Sequence, residues 1–130
     1  MARRLIVDTG VFVATERGLA PEVRDDDVAI AAITLAELGA GVHLASDAHR
    51  PARAAYVERI AMNVPVIPYG HEVAEIHAQL LAHARRSGRP HGAHDLIIAA
   101  TALATGRTLL TGDRAARFDE LPGLDVLLLG

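Results

Sequence analysis

The 130-residue sequence contains no cysteine, no lysine and no tryptophan. Without cysteine the chain forms neither a disulfide nor a zinc site with thiolate ligands, which fits a cytoplasmic location. Aromatic residues make up only 3% of the chain, so its core must be aliphatic. The longest apolar stretch, residues 96–104, is about half a membrane span. We therefore predict a soluble protein with no signal peptide and no contact with membranes.

All thirteen basic residues of the chain are arginine. The formal net charge is −3 and the pI is about 6.1, so the protein lacks the overall basic field of many nucleic-acid binders. Any such binding has to use a local patch. The length and a hydrophobic content of 51% predict one folded domain over residues 1–130.

Strand and helix patterns alternate along the chain. Apolar runs predict strands at residues 4–7, 28–33, 64–67, 108–110 and 126–129, and helices are predicted at residues 10–17, 34–45, 47–62, 71–86 and 94–104. A polar loop at residues 19–27 ends in three aspartates, predicted to be solvated, and residues 87–92 form a clear break. Continuous apolar strands between helices indicate an α/β fold with a parallel sheet covered on both faces. The helix at residues 94–104 is apolar nearly all round and should be buried.

Four acidic residues lie where such a fold would gather them, at the carboxyl ends of strands or in the first turns of helices. They are Asp8, Glu37, Asp95 and Asp113. Carboxylates within about 4–5 Å repel each other by roughly 3–4 kcal/mol per pair at an effective dielectric constant near 20. The cluster would therefore be unstable or partly protonated without a cation. Hard oxygen ligands without thiolates favour Mg²⁺ or Mn²⁺.

Each acid also has a purely structural interpretation. Thr34 and Glu37 match a helix capping box, although the apolar neighbours of Glu37 on its helix face predict that the carboxylate points inward and needs a partner. Asp95 suits the N-terminus of a helix, and Asp8 and Asp113 suit turns. The pattern as a whole is more informative than any single member.

Two short motifs suggest other enzymes. Asp8-Thr9-Gly10 is the triplet of aspartic proteases, but those proteins are nearly all β. His94-Asp95 spells the doublet of HD-type phosphohydrolases, but those are all helical and leave no role for acids at strand ends. The remaining interpretation of His94, as of His71, His77, His83 and His91, is an ordinary exposed histidine.

The ordered motifs resemble those of PIN domains, most closely the VapC-type toxins of bacterial toxin–antitoxin pairs. They are Asp8-Thr9 after a strand, ITLAEL at residues 33–38, DLIIAATA at residues 95–102 and LLTGD at residues 109–113 followed by Phe118. The resemblance covers essentially the whole chain. It implies a three-layer α/β/α sandwich and a metal-dependent endoribonuclease, with Asp8, Glu37, Asp95 and Asp113 around Mg²⁺ or Mn²⁺.

The resemblance also implies supporting groups and partners. Thr9 and Thr111 would support the site or contact a phosphate. The residues themselves, apart from the resemblance, show the densest basic patch at Arg85, Arg86 and Arg89, just before the loop that leads to Asp95; it either contacts RNA phosphates or is a solvated helix end. Glu37 would act through a water molecule or as the base. The expected partners are RNA, a cognate antitoxin and a second copy of the chain, as a homodimer or a toxin–antitoxin hetero-oligomer. One departure is Gly10, where many members have asparagine; glycine should loosen the turn from strand to helix.

Two alternatives remain open at this point. One is a PIN-type RNA-processing nuclease without an antitoxin, and the other is a catalytically silent binding module.

Overall fold

A computed structural model describes residues 2–16 and 26–129, and within them it contains a sheet of five parallel strands. The strands are β1 (Arg4–Val7), β2 (Asp27–Ala31), β3 (Val66–Ile67), β4 (Thr108–Thr111) and β5 (Val126–Leu128). Their order across the sheet is β3-β2-β1-β4-β5, and every neighbouring pair is parallel. The predicted parallel sheet is confirmed.

Helices cover both faces of this sheet. They are α1 (Thr9–Glu16), α2 (Ala32–Leu44), α3 (Arg50–Asn63), α4 (His71–Ser87) and α5 (Ala93–Ala104), with a short 3₁₀ helix at Phe118–Glu120. Ile6 of β1 packs in one hydrophobic cluster with residues of α4 and α5. Its neighbours Leu5 and Val7 pack in a second cluster with residues of α1, α2 and α3. Because successive strand residues face opposite sides, one strand holds both layers together, and the three-layer sandwich is confirmed.

The order of the strands reverses beside β1, which makes this position the topological switch point of the sheet. From β1 the connections run to β2 and β3 on one side, and β4 and β5 lie on the other. The amide of Asp8 donates to the carbonyl of Leu110 at 2.9 Å, which extends the β1–β4 pairing to the carboxyl edge. In open α/β sheets the crevice at such a point is the usual ligand site.

Helix α5 is buried along most of its length, as its composition predicts. The residues from Ile98 to Ala102 are all at most 2% exposed. The helix ends at Ala104, Thr105 is its C-cap residue, and Gly106 follows with φ of +62°, a conformation that glycine adopts without steric cost. Among the helices in the described ranges, none is long and apolar enough to cross a membrane.

Several predicted boundaries are wrong, and the predicted strand at residues 64–67 is reduced to β3 because Val64 still caps α3. Strand β2 ends at Ala31 and α2 begins at Ala32, so Ile33 is helical and Thr34 is not the N-cap residue. Ala31 occupies the N-cap position and makes no side-chain capping bond; the capping box is therefore absent. Helix α3 begins at Arg50 rather than at residue 47, because Pro51 can stand only in the first turn of a helix.

The prediction that the aspartates before β2 are merely solvated is wrong for Asp26 and Asp27. The Asp26 carboxylate accepts hydrogen bonds from the backbone amide of Arg3 at 3.0 Å and from its guanidinium at 2.6 Å. Asp27 accepts from Arg107 at 3.1 Å. These contacts tie the starts of β1 and β2 to each other and to β4. Asp25 and the rest of the predicted loop lie outside the described residues.

Candidate active site

Asp8 lies at the centre of the site, directly after β1, and only 7% of it is exposed. Its carboxylate accepts hydrogen bonds from the Thr9 amide at 2.8 Å and from the Thr111 hydroxyl at 2.7 Å. These bonds lower the pKa of Asp8, but burial outweighs them, and the carboxylates of Glu37 and Asp113 add to the rise. The net result is a raised pKa, so this carboxylate takes up a proton more readily than a solvated one.

Thr111 connects Asp8 to the last acid of the set. Its side chain is fully buried, and its hydroxyl accepts a hydrogen bond from the Asp113 amide at 3.0 Å while it donates to Asp8. The Asp113 carboxylate accepts from the amide of Ala116 at 3.1 Å. Asp113 therefore lies in a turn, as one interpretation of the sequence predicted. From this turn its charge is close enough to contribute to the raised pKa of Asp8 and Asp95.

Asp95 lies in the first turn of α5, and the charges of the other three acids act on its carboxylate. Burial is the main cause of its raised pKa, followed by the charges of Asp8, Asp113 and Glu37, while His91 opposes the rise. In residues 2–16 and 26–129, no side chain or amide donates a hydrogen bond to this carboxylate. The helix position alone would favour the charged form, so the raised pKa reflects burial and the neighbouring acids.

The Asp95 carboxylate rests against the backbone of Gly92, the N-cap residue of α5. A Cβ atom at Gly92 would lie 2.7 Å from Asp95 Oδ2, which is closer than such atoms approach. The absence of a side chain at Gly92 therefore makes room for this carboxylate. The sequence shows Gly92 only as part of a break, and nothing in the pattern marks its contact with Asp95.

Glu37 points inward from α2 and has two hydrogen-bonding partners from other helices. The Thr9 hydroxyl donates to Oε1 at 2.7 Å, and His94 Nδ1 lies 3.2 Å from Oε2. Thr9 Oγ1 also lies 3.4 Å from the hydroxyl of the fully buried Thr34. The predicted partner of the Glu37 carboxylate exists, whereas the predicted bond to its own helix start does not.

His94 contradicts the interpretation of the histidines as ordinary exposed residues, because it touches Glu37. His91 and His77 also have partners, the carbonyl of Ala116 at 3.1 Å and the hydroxyl of Tyr69 at 2.8 Å. The signal available in the sequence was the position of His94, directly before the acidic residue of α5.

The donor chemistry of the four acids fits Mg²⁺ or Mn²⁺, which prefer carboxylate oxygens. Asp8 and Asp95 are held in surroundings that raise their pKa, and a cation would stabilise their ionised forms. Among the described residues, however, no group of three or more Asp, Glu or His side chains converges closely enough to hold a metal ion. A metal ion at this site would therefore require side-chain rearrangement.

The predicted arginine patch is divided in the structure. Arg89 forms an ion pair with Glu120 of the 3₁₀ helix, and it would have to leave this partner to bind a phosphate. Arg85 and Arg86 are exposed in the last turn of α4. A cleft of about 390 Å³ beside Asp113 is lined by two further arginines, Arg114 and Arg117, which the sequence did not single out. The roles of all these residues in RNA binding stay predictions.

Comparison with known proteins agrees with this geometry. The family model described as "PIN domain" matches residues 5–124. This chain is a PIN-domain protein of the VapC group. It is 36% identical over 123 residues to Ribonuclease VapC5 of Mycobacterium tuberculosis, covering 92% of this chain and 87% of that protein. It is 31% identical over 127 residues to Ribonuclease VapC of Rickettsia bellii, covering 95% and 94%.

A solved structure is similar over the same extent. It is VapBC-5 of Mycobacterium tuberculosis, described as a member of the VapBC family of toxin–antitoxin systems. The similarity has a TM-score of 0.80 at 32% identity and covers 97% of this chain and 98% of that one. The family and the fold that the four motifs indicated are confirmed, whereas the catalytic and metal-binding roles of Asp8, Glu37, Asp95 and Asp113 stay predictions.

Gly10, where many PIN domains of this group have asparagine, lies inside α1 and not in the turn that precedes it. It is the second residue of α1, it has no positive φ angle, and a Cβ atom there would meet nothing within 4 Å. The expectation that glycine loosens the passage from β1 to α1 stays a prediction. Nothing in the structure explains why glycine stands at this position.

Proposed function

We propose that this PIN domain is a metal-dependent endoribonuclease that acts as the toxin of a toxin–antitoxin pair. The observation that carries the proposal is the raised pKa of Asp8 and Asp95, caused first by burial and then by neighbouring carboxylates, at the carboxyl edge of a parallel sheet and at its switch point. Acids with a raised pKa in a crevice are typical of active sites. The names of the relatives, Ribonuclease VapC5 and Ribonuclease VapC, support RNA as the substrate.

In this proposal Asp8, Asp95 and Asp113 hold Mg²⁺ or Mn²⁺, and Glu37 contributes through a water molecule or as the base. The metal, when bound, supplies positive charge that neutralises the carboxylates and polarises the scissile phosphate. Thr111 and the Thr9 amide fix the Asp8 carboxylate. As the base, Glu37 would accept the proton of the attacking water. The water oxygen forms the new bond to phosphorus, the P–O ester bond breaks, and the leaving oxygen takes up a proton.

The proposed partners follow from the same comparisons. The similar VapBC-5 structure belongs to a toxin–antitoxin system, so we infer that a cognate antitoxin binds this chain and blocks its site. A homodimer or a toxin–antitoxin hetero-oligomer is the expected assembly. An RNA-processing PIN nuclease would share the chemistry and lack this partner.

The catalytic part is tested with purified protein and a defined RNA, with Mg²⁺, with Mn²⁺ and with EDTA. Cleavage should require the metal, and Asp8→Asn or Asp95→Asn should lower it by at least about 100-fold. Asp47→Asn is the matched control, because the Asp47 side chain is 99% exposed and, among the described residues, pairs only with Arg50. Cleavage by both site variants at the parent rate would refute the assigned roles, and no cleavage by the parent would favour a silent binding module.

The toxin part needs a separate experiment in cells. The gene is expressed with and without the neighbouring gene for a small protein, and new RNA 5′ ends are sequenced. Growth arrest and new ends only in the absence of the neighbour support a toxin. RNA cleavage without arrest, and without any effect of the neighbour, would identify an RNA-processing nuclease instead.

A further inference from the structure

His94 is a side chain of the site that the proposed reaction leaves without a role. It is the second residue of α5, directly before Asp95, and its side chain is 55% exposed. Its Nδ1 atom lies 3.2 Å from Glu37 Oε2. The contact joins residues 57 positions apart and connects α5 to α2 across the site.

The chemistry of the pair defines which ring nitrogen carries a hydrogen. An ionised carboxylate only accepts hydrogen bonds, so Nδ1 must be the donor. Both the neutral ring with hydrogen on Nδ1 and the imidazolium ring satisfy this condition. The contact therefore holds the ring in a defined orientation whether or not the ring is protonated.

The other oxygen of Glu37 is held in a similar way by Thr9, whose hydroxyl donates at 2.7 Å. The backbone amide of Thr9 in turn donates to Asp8 at 2.8 Å. Glu37 is thus tied to Asp8 through Thr9 and to the start of α5, and so to Asp95, through His94. A glutamate has a long side chain with considerable rotamer freedom, and donors on both oxygens restrict it to one orientation.

We infer that His94 is a positioning residue, which holds the Glu37 carboxylate in the orientation that cleavage requires. This inference rests on the proposed function, because it assigns His94 a part in that reaction through Glu37. Another His–Glu pair in the described residues, His71 with Glu75, lies along α4 with side chains 85% and 64% exposed. It has the same chemistry without bridging two elements, and it provides a matched control.

The kinetic test compares His94→Ala, His94→Asn and His71→Ala with the parent in RNA cleavage. His94→Ala should lower kcat about tenfold and change KM by less than about twofold, since a hydrogen bond to a charged group is lost and no substrate contact is assumed. His94→Asn should recover most of the rate, because its side-chain amide can donate near the position of Nδ1. His71→Ala should cleave like the parent.

A double-mutant cycle shows whether His94 acts through Glu37. In the Glu37→Gln background, His94→Ala should have no further effect on kcat. An equal loss in both backgrounds would overturn the inference, and so would a parent-like His94→Ala variant. An increase in KM without a change in kcat would also overturn it, because it would make His94 a substrate-binding group.

A second measurement does not depend on activity. Long-range ¹H–¹⁵N spectra of the His94 ring should show the Nδ1–H tautomer when the ring is neutral, and the Nδ1 signal should move in Glu37→Gln. A ring with its hydrogen on Nε2 would overturn this inference and leave the nuclease proposal standing. A parent that shows the Nδ1–H tautomer but cleaves no RNA would overturn both.

Discussion

Replacing Gly92 with alanine should move the Asp95 carboxylate while leaving the backbone intact. Gly92 has φ of −58° and ψ of 141°, which alanine adopts without strain. The new Cβ atom would lie 2.7 Å from Asp95 Oδ2, whereas ordinary contacts begin at 3.4 Å. The carboxylate must therefore move by about 0.7 Å, the difference between these two distances. Because it is the end of a short side chain, it can give way at little cost in stability.

The expected effects on activity and stability differ clearly in size. A displacement of about 1 Å at a catalytic group can cost about 100-fold in rate, so about 0.7 Å predicts a loss of about tenfold. Alanine is a poorer N-cap than glycine by roughly 0.5–1 kcal/mol. It also lowers the entropy of the unfolded chain, which restores about 0.4–1 kcal/mol. The net change in unfolding free energy should be close to zero.

The assay pairs RNA cleavage with urea denaturation of the same preparations. Gly39→Ala is the control, since Gly39 lies inside α2 and a Cβ atom there meets nothing within 4 Å. This control should be more stable by about 0.5–1 kcal/mol and cleave like the parent. The reasoning is refuted if Gly92→Ala cleaves at the parent rate, or if its loss of activity only follows a loss of folded protein.

Three further predictions concern other positions. Burial and the neighbouring carboxylates raise the Asp95 pKa, so the free energy of unfolding falls as pH rises through that pKa. In metal-free buffer Asp95→Asn should therefore be more stable than the parent at pH 7. Denaturation curves should show no such advantage below pH 3.8, the ordinary pKa of an aspartate. Thr111→Val removes a buried hydrogen-bond donor to Asp8. It should lower the free energy of unfolding by about 1–2 kcal/mol and raise the Asp8 pKa further. An unchanged Asp8 titration would contradict this. Gly10→Asn should change stability by less than about 0.5 kcal/mol in thermal unfolding, because a Cβ atom there meets nothing within 4 Å; a larger loss would contradict this.

The layers of the fold could be predicted from the sequence because the strands are continuous apolar runs. Residues 4–7 match β1, and burial of α5 follows from a helix that is apolar nearly all round. The start of α2 could not be predicted, because the apolar run continues through Ile33 and Ala31 caps the helix without a side-chain bond. A run of apolar residues does not show where a buried strand becomes a buried helix.

The four acids could be singled out because each follows a strand or opens a helix. Their partners could not, since those contacts join residues far apart in the chain. Thr111 meets Asp8 across 103 positions, and His94 meets Glu37 across 57. Gly92 and His94 are informative only once the first turn of α5 is placed against α2 and β1.

The hydrogen-bond donors of the site also explain how the four acids can lie close together although their side chains do not converge on a cation. Two close carboxylates repel by roughly 3–4 kcal/mol, and a hydrogen bond to a charged group returns about 1.5–3 kcal/mol. Asp8 and Glu37 each accept two such bonds, with threonine, amide and imidazole donors. Asp95 accepts none within the described residues, and its pKa is raised by burial and then by the other three acids. It is therefore the acid with most to gain from a cation, and metal titration should perturb its carboxyl resonance first. A first response at Asp113 would show that the ion binds at the exposed turn after β4 and not at the first turn of α5.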